Sequence, residues 1–327
     1  MRNIVNWGIL GTGNIASIFA KDLSFVDNAN LLAVGSRTQK TANEFALKHN
    51  VERTYSSYSG LVADPDIDII YIATPHTFHY QNSKLCLHHN KAVLCEKPFM
   101  VNEGQAREVF SIAKKKNLFV MEAMWTRFLP LMKTIRELIN NGEIGELKAI
   151  HSDFCFYNIY NPESRLFNPD LAGGALLDVG IYPVMLAHTF FGEPENIRAF
   201  STFSKSGVDE NTSAIFTFKK SRIATFQSAV TYSSATEAVL SGTDGFMKIH
   251  SRWFEMPGLT LAKNNKEPTF IEKPFQGRGF HFEIAEAQRC LLTGKTESDL
   301  MPHKDTIEIL RTLDRIREQV GLHYPFE

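Results

Sequence analysis

The sequence predicts an α/β protein: a doubly wound parallel sheet followed by an α+β domain with an open-faced, mainly antiparallel sheet. Three observations carry that expectation. The first third alternates short apolar runs with amphipathic helical stretches, a glycine-containing turn follows the first run directly, and beyond Trp125 the runs lengthen and are separated by hairpin turns. With 327 residues, 43% of them hydrophobic, the chain is long enough for two cores, since single cores stop growing near ~250 to 300 residues.

In chain order, Ile4 to Leu10, Leu31 to Gly35, Ile67 to Ala73, Ala92 to Cys95 and Leu118 to Glu122 read as strands, each a short apolar run. Asn102 to Lys116 reads as a helix: Asn102 and Gln105 form a capping pair, and Ala106, Val109, Phe110 and Ala113 keep a helical period. Strand and helix in alternation argue a parallel sheet. Past Trp125, Pro130 suits the first turn of a helix to Ile139, with Leu131, Ile135, Leu138 and Ile139 on one face and Asn141, Gly142 ending it. The β-like segments Gly145 to Tyr157, Ile197 to Phe203, Asn211 to Phe218, Arg222 to Val230, Thr236 to Ser241 and Phe246 to His250 follow. Lys219 to Ser221 and Thr243 to Gly245 look like hairpin turns, so this sheet is mainly antiparallel. Phe282 to Leu292 and Thr306 to Val320 read as closing helices. Several late strands carry apolar or aromatic residues on both faces, which predicts a homodimeric contact through the uncovered sheet face.

A net charge of −1 offers no field for nucleic acid and no polybasic segment for a membrane surface; the Lys114 to Lys116 run reads as a solvated helix end. A small-molecule ligand is the remaining class. Met1 to Leu10 lacks the apolar core of a secretory signal, and no stretch reads as long and apolar enough to span a bilayer. Four cysteines without CxxC spacing, mostly among apolar neighbours, predict free thiols in a reducing compartment, the cytoplasm.

Gly11, Thr12, Gly13, Asn14, Ile15 and Ala16 give GxGxxA between a strand and a helix. Gly11 permits the tight turn, Gly13 lets backbone approach a pyrophosphate, Ala16 allows close helix packing, and the helix amino end favours phosphate. The second strand ends in Gly35, Ser36, Arg37, Thr38 instead of an acidic residue. Arg37 offers a planar donor fork for a 2′-phosphate and a flat cation for adenine, and Ser36 and Thr38 add hydroxyls. NADP is the preferred cofactor on this reading, with NAD left open. Thr74 and Pro75 lie where backbone can pass along the cofactor ribose. His76 and His79 have helical spacing but no third ligand, so no metal site is expected; they donate hydrogen bonds near the nicotinamide or cap and cover the helix. Glu96, Lys97 and Pro98 hold a lysine just past a buried strand, at the sheet edge where open α/β folds bind ligands.

GTGNIA at 11–16, Ser36 with Arg37, ATPHTFH at 73–79, CEKP at 95–98, EAMWTRFLP at 122–130 and GGALLDVGIYPV at 173–184 resemble the Gfo/Idh/MocA oxidoreductases, as does the stretch from Met301 to Leu322. Within that family the likeness is to the dimeric dihydrodiol dehydrogenase and NADP-dependent D-xylose dehydrogenase group. The resemblance implies a Rossmann dinucleotide-binding domain over residues 1–124 and a substrate-binding and dimerisation domain over 125–327. It implies Lys97 as the central lysine, Asp178 as its acidic partner and Tyr182 as the acid or base. Trp125 and Arg127 correspond to the segment lining the nicotinamide end, and Glu96 to a cofactor neighbour. Read from the residues alone, Asp178 and Tyr182 share one helix face, or else are a capping group and a core tyrosine. Phe154, Phe156, Tyr157 and Asn158 form an aromatic wall for a sugar ring or diol, or else belong to the sheet core.

The implied reaction moves a hydride between the nicotinamide and a secondary alcohol of a sugar, polyol or cyclic trans-diol. Free lysine and tyrosine titrate near ~10, so Lys97 is expected to favour the phenolate of Tyr182 while Asp178 keeps Lys97 charged and oriented. Two alternatives stand beside this: an NADPH-binding sensor or scaffold without turnover, and a same-fold enzyme using tightly held NAD for glycoside cleavage or epimerisation.

Overall fold

The structure, a computed structural model, describes residues 4–327. Residues 1–3, part of the amino-terminal stretch discussed above, lie outside the described residues. The chain divides into two compact units, Met1–Phe128 with Phe275–Ile307, and Leu129–Pro274 with Glu308–Glu327. The expected boundary at 124/125 is therefore incomplete: a late segment returns to the first unit.

The first unit runs β1 (Val5–Leu10), α1 (Asn14–Leu23), β2 (Ala29–Gly35), α2 (Gln39–His49), β3 (Arg53–Tyr55), α3 (Tyr58–Ala63), β4 (Ile69–Ile72), α4 (His79–His88), β5 (Ala92–Glu96), α5 (Glu103–Lys116) and β6 (Val120–Ala123). Its sheet has the order β3-β2-β1-β4-β5-β6 with every pair parallel, so the order reverses between β1 and β4 and a ligand crevice is expected at their carboxyl ends. β1, β4, β5 and β6 are buried along their whole length, because helices cover both faces of such a sheet; hence their largely apolar runs, broken by Asn6, Glu96 and Glu122. Asn102 caps α5 by accepting the Gln105 N–H at 3.0 Å, as its sequence pair predicts.

The second unit contains α6 (Pro130–Asn140), β7 (Leu147–Cys155), α7 (Ile181–Phe191), β8 (Asn196–Phe203), β9 (Asp209–Phe218), β10 (Arg222–Ala229), β11 (Ala238–Gly242), β12 (Gly245–Ile249), β13 (Leu259–Lys263) and β14 (Thr269–Ile271). The sheet order is β14-β13-β12-β11-β7-β10-β9-β8, antiparallel except where β7 meets β10. Lys220 and Ser221, both with positive φ, turn the chain between β9 and β10. The registers put Phe200, Ile215, Ile223, Phe246 and Phe270 on one face, all exposed. α7 packs on β7 and β10. Contrary to the sequence expectation, one stretch, Pro169–Phe191, is long and apolar enough to cross a membrane; 94% of its most apolar 18-residue window is buried in the protein, which makes it core.

Two helices finish the chain, α8 (Phe280–Leu292) and α9 (His303–Val320). Buried Asp22 of α1 accepts the Arg278 N–H at 2.9 Å and the Phe280 N–H at 2.8 Å. That carboxylate fastens the start of α8 to the first unit.

Candidate active site

At the end of β1 the chain turns through Gly11, whose φ is +107° and where a β-carbon would lie 2.9 Å from the Ala73 carbonyl oxygen. Only glycine fits there. A β-carbon at Gly13 would meet no atom within 4 Å, and Gly13 begins α1 with no side-chain cap, so first-turn N–H groups and open space together suit a pyrophosphate. Ala16 is fully buried against the sheet. Beside this turn, a chain of hydroxyls links Thr12 to Ser36 at 3.3 Å, Ser36 to Thr41 at 2.6 Å and Thr41 to Thr38 at 2.9 Å. Arg37 is exposed next to it. These donors fit a dinucleotide with a phosphate on the ribose.

The carboxyl ends of β4 and β5 are tied together by His79. Fully buried at the start of α4, it sets one ring nitrogen 2.9 Å from the Pro98 carbonyl oxygen and the other 2.8 Å from that of Thr74. Burial lowers its pKa. Glu96 ends β5 with its carboxylate buried, accepting the Tyr71 hydroxyl and, at 3.2 Å, the Lys97 N–H. Half-buried Lys97 comes next, joined to Pro98 by a cis peptide bond. Glu122 on β6 fixes the following turn: it accepts the Phe99 N–H at 3.0 Å and the Thr306 hydroxyl at 2.9 Å. Burial raises the Glu122 pKa to about 7. Trp125 stacks on Phe280 with ring centroids 5.2 Å apart, and buried Arg127 pairs with Asp305.

In the second unit a π-helical turn, Leu176–Gly180, precedes α7 and carries Asp178. Single π turns are rare and recur at functional sites. Its first N–H, from Leu176, is accepted at 2.8 Å by Asp209 of β9, which also takes the Thr212 hydroxyl at 2.7 Å. Arg165 holds both oxygens of Asp178, at 2.9 and 3.1 Å. Tyr182, in the first turn of α7, lies 5.5 Å from Phe154 and 5.6 Å from Phe254, ring centre to ring centre. Phe154 and Phe254 themselves stack at 4.0 Å with planes 7° apart, so the Tyr182 ring borders a flat apolar surface.

The family model for the oxidoreductase family, NAD-binding Rossmann fold, matches residues 5–124, and that for the GFO/IDH/MocA C-terminal domain matches residues 132–248. The chain belongs to the Gfo/Idh/MocA oxidoreductases. The trans-1,2-dihydrobenzene-1,2-diol dehydrogenase of Xenopus laevis is 35% identical over 98% of this chain and 99% of its own. The D-xylose 1-dehydrogenase (NADP(+)) of Hypocrea jecorina is 34% identical over 98% and 93%. Among solved structures, the aldose-aldose oxidoreductase of Caulobacter crescentus complexed with glycerol superposes with TM-score 0.89 at 22% identity, covering 97% of this chain and 98% of that one. The 3-ketoreductase KijD10 of Actinomadura kijaniata with NADP and TDP-benzene gives 0.88 at 22% identity, with coverage of 97% and 98%. At that identity the structures share the fold.

In this Gfo/Idh/MocA oxidoreductase, Gly11, Thr12, Gly13, Asn14, Ile15, Ser36, Arg37, Thr74, Pro75, His76 and Lys97 follow the carboxyl ends of parallel strands on one sheet edge. Four of the expected cofactor contacts also make bonds within their own unit. The His79 nitrogens lie at the Pro98 and Thr74 carbonyl oxygens. Arg127 is committed to Asp305 inside the unit. Glu96 turns its carboxylate to Tyr71 and the backbone, and Thr38 is the N-cap of α2, accepting the Thr41 N–H at 3.2 Å. In the second unit, Asp178 sits within the π turn and is no helix cap, and Asn158 is exposed beyond β7. Arg165, Asp209, Phe254, Glu122 and Thr41 had no site role in the sequence reading. Only Glu122 carried a signal, as the first letter of the EAMW motif.

Proposed function

We propose that the protein is an NADP(H)-preferring dehydrogenase that moves a hydride between the nicotinamide and a secondary alcohol of a sugar, polyol or cyclic trans-diol. The observation carrying this reading is the Tyr182 phenol set against the stacked Phe154 and Phe254 rings with Asp178 in the preceding turn. A flat apolar wall takes the carbon face of a ring, and the polar pair handles its hydroxyls. The names of full-length relatives, a diol and a D-xylose dehydrogenase, support the substrate class. Bound NADP supplies the hydride acceptor for the oxidation.

The chain's own residues do the rest. Tyr182 takes the hydroxyl proton, Lys97 holds the hydroxyl oxygen and favours the phenolate, and Asp178 orients the neighbouring hydroxyl. The reading also takes the protein to be a homodimer through the exposed sheet face. It takes the cytoplasm as the location, supported by four free, buried cysteines.

Aldoses, polyols and cyclic diols, including D-xylose and trans-1,2-dihydrobenzene-1,2-diol, should be assayed with NADP and NAD for reduced cofactor. Turnover with at least one, faster with NADP, is expected; no turnover with any compound in either direction would sink the proposal. Lys97→Met is expected to lower kcat about 10²- to 10⁴-fold while NADP affinity changes about twofold. Undiminished turnover in that variant would remove the mechanism.

A further inference from the structure

We propose that Arg165 is a positioning residue for this reaction, fixing the carboxylate of Asp178 in the orientation it presents to substrate. The inference rests on the role assigned to Asp178 above. Arg165 belongs to the segment between β7 and the π turn, outside any helix or strand. Its Nη1 donates to Oδ1 of Asp178 at 2.9 Å and its Nη2 to Oδ2 at 3.1 Å, a fork-to-fork pair that removes rotation of the carboxylate about its last torsion. The arginine side chain is 43% exposed and the aspartate 8%, so the cation reaches in from the surface to an acid already withdrawn from water. An exposed ion pair would add little. Removing this arginine instead leaves a buried carboxylate short of two donors.

The backbone holding Arg165 is itself fixed. A β-carbon at Gly173 would lie 2.8 Å from the carbonyl oxygens of both Arg165 and Leu166, so the glycine lets the Arg165 strand of the loop lie directly on the approach to the π turn. The Gly174 N–H donates to Leu166 at 2.8 Å, and the Gly173 N–H to Asn168 at 3.0 Å. From the opposite side Asp209 holds the Leu176 N–H. The backbone of Asp178 is thus set by Asp209 and the Gly173 contact, and its carboxylate plane by Arg165. Lysine at 165 would keep the charge and lose the fork.

The test uses full-length Arg165→Met, Arg165→Lys and Asp178→Asn with the panel compound that the native protein turns over fastest. Arg165→Met is expected to keep the native NADPH affinity by fluorescence titration and to lose about 10- to 100-fold in kcat with little change in KM. Guanidinium chloride should restore part of that loss in Arg165→Met and none in Asp178→Asn. Arg165→Lys, which retains the charge if the methionine variant fails to fold, should fold, lose about tenfold in kcat and change the pH profile of kcat. Native kcat and pH profile in Arg165→Lys would overturn the proposal, as would native kcat in Arg165→Met. Should Asp178→Asn turn over normally, the role of Asp178 itself falls, an outcome separate from either arginine result.

Discussion

An acidic side chain after β2 would accept the ribose hydroxyls of NAD and repel a 2′-phosphate, but Gly35, Ser36, Arg37 and Thr38 stand there instead. Ser36 is buried and bonded to Thr12 and Thr41, and Arg37 beside it is exposed and able to follow a phosphate. Arg37→Ala is expected to raise KM for NADP about tenfold or more and KM for NAD about twofold at most. Initial rates with each cofactor decide it, and equal effects on both would remove the assignment. Residues such as Gly11, Arg37 and Lys97 were legible in the sequence because their meaning comes from immediate neighbours, a strand before or a helix after. Arg165 and Phe254 were not. Arg165 meets Asp178 from an irregular segment, and Phe254 meets Phe154 from 100 positions away. Nothing local marks either. For His79 and Arg127, composition gives the polar group and only packing gives its partners, the Pro98 and Thr74 carbonyls for one and Asp305 for the other.

The π turn and β9 form the element pair that carries Asp178, and Asp209 is the joint between them. Burial pushes the Asp209 pKa up to about 7, with Arg317 pulling it down and Tyr324 also within its field. A carboxyl whose folded pKa lies above its unfolded value contributes stability in full below the unfolded pKa, near ~3.9, and that contribution is lost as pH rises through about 7. Asp209→Asn keeps the acceptor for the Leu176 N–H and cannot ionise. Its urea midpoint relative to the native protein is therefore expected to rise between about pH 4 and about pH 7 and to level off above, the span the linkage relation assigns to this group. A constant difference across that range would show that Asp209 does not titrate there. Elements with a strong period, such as α5, α6 and the β9/β10 hairpin, followed from sequence. β3 and β14 did not, being three residues each with no buried residue to set a pattern. Nor did the return of Phe275–Ile307 to the first unit, because an amphipathic face does not say which sheet it will cover.

At the scale of the molecule, the eight-stranded sheet leaves Phe200, Ile215, Ile223, Phe246 and Phe270 exposed on one face, with Phe200 79% accessible. Strands of a sheet that met only water on that side would alternate apolar and polar residues cleanly. These five large apolar groups stand on β8, β9, β10, β12 and β14, and a second copy of the same face would offer the complement by two-fold symmetry. Ser213, Thr217 and Thr225 share this face with Arg198, His151 and Lys248. Sedimentation velocity of the native protein is expected to give twice the mass of one chain. Ile215→Lys puts a charge on the patch between Phe200 of β8 and Ile223 of β10 without touching the buried face of β9 and is expected to shift the boundary to one chain's mass at micromolar concentration. NADPH affinity, a property of the first unit, should be unchanged in that variant. A native protein that sediments as a monomer, or an Ile215→Lys variant that stays dimeric, would place the contact elsewhere and leave the exposed row without a partner of this kind.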